Sequence, residues 1–236
     1  MSTFCEQILL SLAQKGIPAK AAHLQHYFKT GPGGYGEGDI FLGVPVPEQR
    51  KIAKSIAQEA SLPQLSELVQ HPYHEIRLTG LLALVYKFEK TRSESLRGEF
   101  VNFYLDHLDF INNWDLVDSS AHLILGKWLE NKERSILYEL ANSSLLWDNR
   151  IAIVATLHFI RKNDFHDIFK LCTILLNHKH DLIHKATGWM LREVWEKSPY
   201  EVERFLDDHY SKMPRTMLRY TIEKMSTDKR LEYLKK

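Results

Sequence analysis

Two short runs of this 236-residue chain combine residue types able to handle a charged substrate. In NWDLVD, residues 113 to 118, Trp114 and Asp118 stand four apart and share one helical face, while Asp115 and Ser119 point elsewhere. A carboxylate beside an indole is poorly solvated, and a buried unpaired carboxylate is costly. Asp118 therefore asks for a cationic ligand or for a protein cation such as Arg150. Asp115 reads more simply as a helix-start carboxylate facing the dipole. In LIHKATGWMLRE, residues 182 to 193, Lys185, Trp189 and Arg192 fall at i, i+4 and i+7, so an indole is flanked by two cations. Gly188 costs a helix about 1 kcal/mol relative to Ala, which implies close approach of a neighbouring helix or of a ligand backbone.

Other chemistries lack their residues. His180 and His184 are four apart, yet no HExxH and no third ligand accompany them, so no metal is expected. Neither a GxSxG run nor a Cys with a base partner offers a covalent nucleophile. Residues 31 to 36 spell GxGxxG, but a helical pattern precedes them and no parallel strand is in sight, so a dinucleotide site is rejected and no cofactor is expected. The segment TGPGGYGEGD, 30 to 39, is read either as a flexible connection needing positive φ or as a mobile element with Tyr35 at its tip.

The elements that must position these residues are helices. Period-2 alternation is absent and helical periodicity dominates, which predicts an all-α fold, with one or two opening helices over 4–29. Further helices are predicted over 46–60, 63–70, 74–89, 93–107, 114–129, 132–141, 147–161, 165–177, 181–197, 200–210 and 214–224. HEIRLTGLL, INNWDLVDS, WDNRIAIVA, LIHKATGWM and TMLRYTIEK align at a period of about 35 residues, placing Arg77, Trp114, Arg150, Lys185 and Arg219 in register. That period is the signature of an α-solenoid of stacked helix pairs, expected as a single domain spanning 1–236 with a concave groove. A column of cations and Trp along the groove suggests nucleic acid, through phosphate contact and flat apolar faces. Helices of any globular protein also carry a Lys or Arg about every turn, although apolar neighbours such as Ile151 to Val154 imply cations that snorkel or meet an anion.

Composition sets bounds on this reading. A net charge of +1 gives no overall basicity, so nucleic-acid affinity requires charge segregated onto one face, with Glu201, Glu203, Asp207 and Asp208 on the outer one. Hydrophobic residues make up 44% of the chain, enough for a core without metal or disulfide, and Cys5 and Cys172 lie far apart as reduced thiols. No signal peptide or membrane span is recognisable, which predicts a cytoplasmic protein.

Tyr27, FLGVPVPEQR (41–50), NWDLVD, WDNRIAIV (147–154) and KATGWMLRE (185–193) together resemble the AlkD-like DNA alkylation repair family, the HEAT-like-repeat DNA glycosylases. The resemblance runs through nearly the whole chain in order and implies a right-handed HEAT-like solenoid. It also implies an N-glycosylase that removes cationic alkylpurines, chiefly 3-methyladenine and 7-methylguanine, from double-stranded DNA as a monomer. By motif, Asp118 matches the catalytic aspartate, Trp114 and Trp189 the two active-site tryptophans, Arg150 a DNA-contacting arginine and Tyr27 a tyrosine facing the duplex. Lys185, Arg192, Arg77 and Arg219 join as phosphate-gripping cations. Two features depart from the family pattern: Asn113 stands where an aromatic residue precedes the central Trp, and segment 30–39 is longer than the matching turn. The alternative they raise is a non-catalytic HEAT-like protein that binds branched or distorted DNA.

Overall fold

The computed structural model describes residues 2–235, whose regular structure is helical apart from one isolated bridge between Ile40 and Tyr73. They form two compact units, one ending at Ser120 and the other starting at Ala121. No helix among them is long and apolar enough to cross a membrane.

In the first unit, α1 (Thr3–Ala13) starts where the Ser2 side chain accepts from the Cys5 amide, and it turns Cys5, Ile8 and Leu12 inward. The chain breaks before α2 (Pro18–Tyr27), with Pro18 in the first turn, where a missing N–H costs nothing. Helix α3 (Val46–Ile56) begins the same way at Pro47, and α4 (Leu62–Val69) opens on a Ser61–Gln64 capping box. Helix α5 (His74–Lys90) is buried along most of its length, packed by α3, α4 and α6 (Glu94–Asp106). A 3-10 turn, Leu108–Phe110, leads to the five-residue α7 (Trp114–Asp118).

The expected helix over 114–129 is thus corrected: α7 stops after Asp118. One cause is local, because the Ser120 hydroxyl donates to the Leu116 carbonyl at 2.6 Å and competes with the helical ladder.

The second unit opens with a π-helical turn, His122–Gly126, followed by α8 (Ser135–Ala141), α9 (Leu146–Ala155) and α10 (Leu157–Arg161). The expected 147–161 helix is interrupted at Thr156, whose hydroxyl bonds the Ile153 carbonyl at 2.6 Å. Then come α11 (His166–Ile174), α12 (Asp181–Trp195), α13 (Pro199–His209), α14 (Arg215–Thr221) and α15 (Thr227–Leu234). Helix α15 escaped the periodicity because it buries no residue, although Ser226 caps it. Helix α12 is central, packed by α9, α13 and α14. Gly188 is where α14 crosses it: a Cβ there would stand 2.5 Å from Tyr220 Cβ and 2.6 Å from the Met217 carbonyl oxygen. Of the two readings of Gly188, the approaching group is a helix. Arg134 staples α8 to α11, bonding Asp164 and Asp167 while its guanidinium lies 3.7 Å over the Phe159 ring.

Candidate functional site

Trp114 and Asp118 rise from the two ends of α7, both half-buried and one helical turn apart. A helix this short has little stability of its own, so its position is set by what surrounds it. Behind it, the buried Tyr104 hydroxyl lies 3.0 Å from Ser120 Oγ. Because Ser120 gives its proton to the Leu116 carbonyl, Tyr104 is the donor of that pair. Burial and, less strongly, the nearby Asp118 charge raise the Tyr104 phenol above its ordinary value, so it remains a donor.

The start of α7 is fixed by Asn113, fully buried, whose Oδ1 accepts from the Trp114 amide at 2.9 Å and whose Nδ2 donates to Asp39 Oδ2 at 3.0 Å. The departure at position 113 is therefore a structural link between α7 and the end of the Gly-rich segment. Asp39 also takes a bond from the Arg77 guanidinium and one from His74 Nδ1 at 3.0 Å, and His74 Nε2 reaches Asp115 Oδ2 at 2.8 Å. Asp115 accordingly does more than cap a dipole: Oδ1 meets the Leu116 amide and Oδ2 meets His74. Burial opposes charge on His74, but the Asp115 and Asp39 carboxylates outweigh it and hold the imidazole up at about 9. Burial likewise opposes charge on Asp39, yet the bond from His74 and the Arg77 charge leave its carboxyl below the usual range.

Aromatic rings form the side wall. Phe28 stacks face to face on Trp114 at 5.1 Å and 11°, and Phe41 packs on the other side, 5.0 Å from Phe28 and 4.6 Å from the His74 ring. Tyr27, 55% exposed, meets the Trp114 ring edge-on at 6.1 Å. The segment 30–39 is not a loose connection. Gly38 N–H bonds the Thr30 carbonyl, Gly33 N–H bonds the Glu37 carboxylate and the Tyr35 hydroxyl bonds the Tyr27 carbonyl. Gly33 and Gly38 do hold positive φ, 75° and 85°. Beyond it, the buried Glu75 carboxylate accepts the amides of Leu42, Gly43 and Val44 at 2.8 to 3.2 Å, which pins the FLGVPVPEQR run.

Arg77 was expected on an open surface, and this is corrected: the residue is 5% exposed and bonds Asp39, Asn112 and the carbonyls of His71 and Pro72. Its helix is the buried centre of the first unit, so a cation there needs an internal anion.

In the second unit Arg150 is also 5% exposed, and its Nη1 donates to the Leu182 carbonyl at 2.7 Å. On the same helix Asn149 ties down the end of α8 through the carbonyls of Leu140, Ala141 and Ser143. Lys185, Trp189 and Arg192 stand on α12 and reach the surface. Lys185 pairs with Asp181 at 2.8 Å, Arg192 pairs with Glu223, and Trp189 Nε1 donates to Glu193 at 2.9 Å. Arg219, on α14, is exposed. Exposed pairs of this kind are worth about 0 to 1 kcal/mol, so a phosphate can exchange for their carboxylates. His180 caps α12 through the Leu182 amide and His184 Nε2 bonds the His178 carbonyl, so both imidazoles serve the helix start. Among the described residues no group of three or more potential metal ligands is gathered.

His74, Asp39 and Phe28 escaped the motif reading, and Phe41 entered it only as the first residue of FLGVPVPEQR. One signal pointed to the first two: in HEIRLTGLLALV three ionisable residues head an otherwise apolar run, and buried charges need partners.

No curated protein matches the chain. A solved structure described as a predicted DNA alkylation repair enzyme from Enterococcus faecalis is similar, with a TM-score of 0.70 and 19% identity over 90% of this chain and 98% of that one. At that identity the likeness speaks for the fold, an all-α helical-repeat fold. The family model for the DNA alkylation repair enzyme matches residues 8–225. With nine-tenths of its length in that match, the chain belongs to the DNA alkylation repair enzyme family.

Proposed function

We propose that the chain is a monofunctional DNA glycosylase that releases cationic alkylpurines, 3-methyladenine and 7-methylguanine, from double-stranded DNA. The observation that carries this reading is Trp114 and Asp118 half-buried on one short helix whose start, back and ring face are all held by other residues.

An N3- or N7-alkylated purine already bears a positive charge. When its C1′–N bond breaks, the electron pair leaves with the base, which departs neutral and needs no general acid. The charge that develops is on the sugar, as an oxocarbenium ion, and a fixed, partly desolvated carboxylate is the group that stabilises it. Preorganised charges of this kind are worth about 3 to 4 kcal/mol each. Asp118 takes that role and helps hold the water that adds to C1′ and yields an abasic site. The indole face of Trp114 is attractive to a cationic sugar and shields it from bulk solvent. On the family resemblance, Trp189 is the second tryptophan against the deoxyribose, and Tyr27, Lys185, Arg192 and Arg219 contact the DNA backbone; Arg150, the arginine that the resemblance places on DNA, is as buried as Arg77 and must leave the Leu182 carbonyl to do so. The chemistry calls on no cofactor or metal and needs a single copy of the chain.

The test is release of free base from methylated duplex DNA. The native chain should release 3-methyladenine or 7-methylguanine, and Asp118→Asn should be slower by about 100- to 1,000-fold with its fold intact. Binding of duplex or branched DNA by a folded native chain that releases nothing would replace this reading with the non-catalytic one.

A further inference from the structure

Among the buried ionisable groups that the proposed chemistry leaves unused, one joins two separate elements. His74 is 1% exposed and stands between two carboxylates from different elements, Asp39 at the end of the Gly-rich segment and Asp115 on α7. A neutral imidazole has one N–H, whereas here both ring nitrogens lie within 3.0 Å of a carboxylate oxygen, an arrangement that needs both to donate. Arg77 and Glu75, on the same helix, are the other charged groups nearby. Arg77 holds the second oxygen of Asp39, and Glu75 turns away to the amides of residues 42 to 44. Two carboxylates thus face two cations, and the imidazole is the member that spans both elements.

We propose that His74 is a positioning residue for the Trp114–Asp118 turn, clamping α7 to the Gly-rich segment so that the indole and the carboxylate stand at fixed places. Two routes connect it to Trp114. One is polar and runs from His74 through Asp39 to Asn113, which bonds the Trp114 amide. The other is a row of rings, His74 on Phe41, Phe41 on Phe28 and Phe28 on Trp114, with centroids 4.6, 5.0 and 5.1 Å apart. A direct bond to Asp115 ties the imidazole to α7 one residue beyond Trp114. Glutamine at position 74 carries both amide protons on one nitrogen and cannot reach the two carboxylates from opposite sides of a ring. Reacting groups tolerate little displacement, and a misplacement of about 1 Å costs on the order of 100-fold in rate.

The inference rests on the glycosylase reading for one of its two readouts, and the other is independent of it. In the first, single-turnover release from methylated duplex is measured from pH 6.5 to 10 for the native chain and His74→Gln. The variant should be about 10- to 100-fold slower with its half-saturating DNA concentration nearly unchanged. The native rate should fall as the pH rises through about 9, a decline the variant lacks. In the second, acrylamide quenching of Trp114 is isolated by subtracting matched Trp114→Phe chains. The indole should become more accessible in His74→Gln, and in the native chain above about pH 9.

A folded His74→Gln chain with native rate and native Trp114 quenching overturns the proposal, as does a loss confined to DNA affinity. If the native chain releases no base, the glycosylase reading fails by itself and Trp114 quenching decides the role of His74. Should His74→Gln not fold, Asp115→Ala keeps the Asp39 contact, removes the acceptor on α7 and is judged by the same two readouts.

Discussion

Replacing His74 by Gln should remove from the chain the part of its stability decline between pH 7 and 10 that this imidazole causes. The imidazole rises from 6.5 to about 9 on folding, and its two carboxylate partners are the favourable cause. At about 1.4 kcal/mol for each tenfold change in proton affinity, that is about 3 kcal/mol. The sign follows from proton counting: between the two values the folded state binds the proton and the unfolded state does not, so stability falls as pH rises. The contribution is fully present below about 6.5 and gone well above 9. For a chain of this length 1 kcal/mol moves Tm by about 2 to 4 °C, so about 6 to 12 °C is at stake. Calorimetric melts of both chains at half-unit pH steps give the difference between them, which should be largest near pH 6.5 and shrink steadily towards pH 10. His71 and His178, lowered by burial, the raised Cys5 and Cys172 thiols and the lowered Lys87 are common to both chains, so their contributions cancel in the difference. Melting curves that run parallel from pH 6.5 to 10 would refute the reasoning, because a neutral His74 loses nothing across that range.

Four further substitutions separate the structural residues from the surface ones. Glu75→Ala strands the amides of Leu42, Gly43 and Val44, and at about 1 kcal/mol or more for each buried donor it should cost at least about 3 kcal/mol in urea unfolding. A smaller loss would mean that water takes over the clamp. Gly188→Ala gains about 1 kcal/mol of helix propensity but forces a Cβ to 2.5 Å from Tyr220, so Tm should fall. A rise would show that α12 and α14 part easily. Arg219→Glu should weaken duplex binding and make its salt dependence shallower by about one phosphate, with an unchanged Tm. Arg77→Glu should lower Tm instead, since it places a carboxylate against buried Asp39. Equal binding losses at native Tm for both would return Arg77 to the DNA surface.

Helix type and order were legible because most of these helices bury an apolar stripe, and a stripe is what periodicity detects. Where the stripe is missing or interrupted the reading failed in ways the side chains explain. Helix α15 buries nothing and so left no period, and the 114–129 pattern ran straight through a turn that the Ser120 hydroxyl helps to end. The second failure comes from a single polar group, which carries no weight in a hydrophobic average.

The site was legible in a different measure, and the register of cations shows why. Arg77 and Arg219 are equivalent by a period of about 35 residues, yet one is buried against Asp39 and the other is exposed. What separates them is a partner supplied by the Gly-rich segment, an irregular insertion with no place in the repeat. A period specifies which helix face a residue occupies and is silent about what an insertion brings to that face. The same logic divides the residues that carried the family resemblance. Asn149 ties down α8, Phe41 stacks on His74, and Gly188 admits α14, so each is explained by the fold alone. Trp114 and Asp118 are different: the surrounding bonds fix the Trp114 amide and the backbone of the turn, and both side chains remain half-buried at the surface of their unit. Packing against Phe28 and Tyr27 accounts for the place of the indole, and what the pair does beyond packing is what the comparison of the native chain with Asp118→Asn reads.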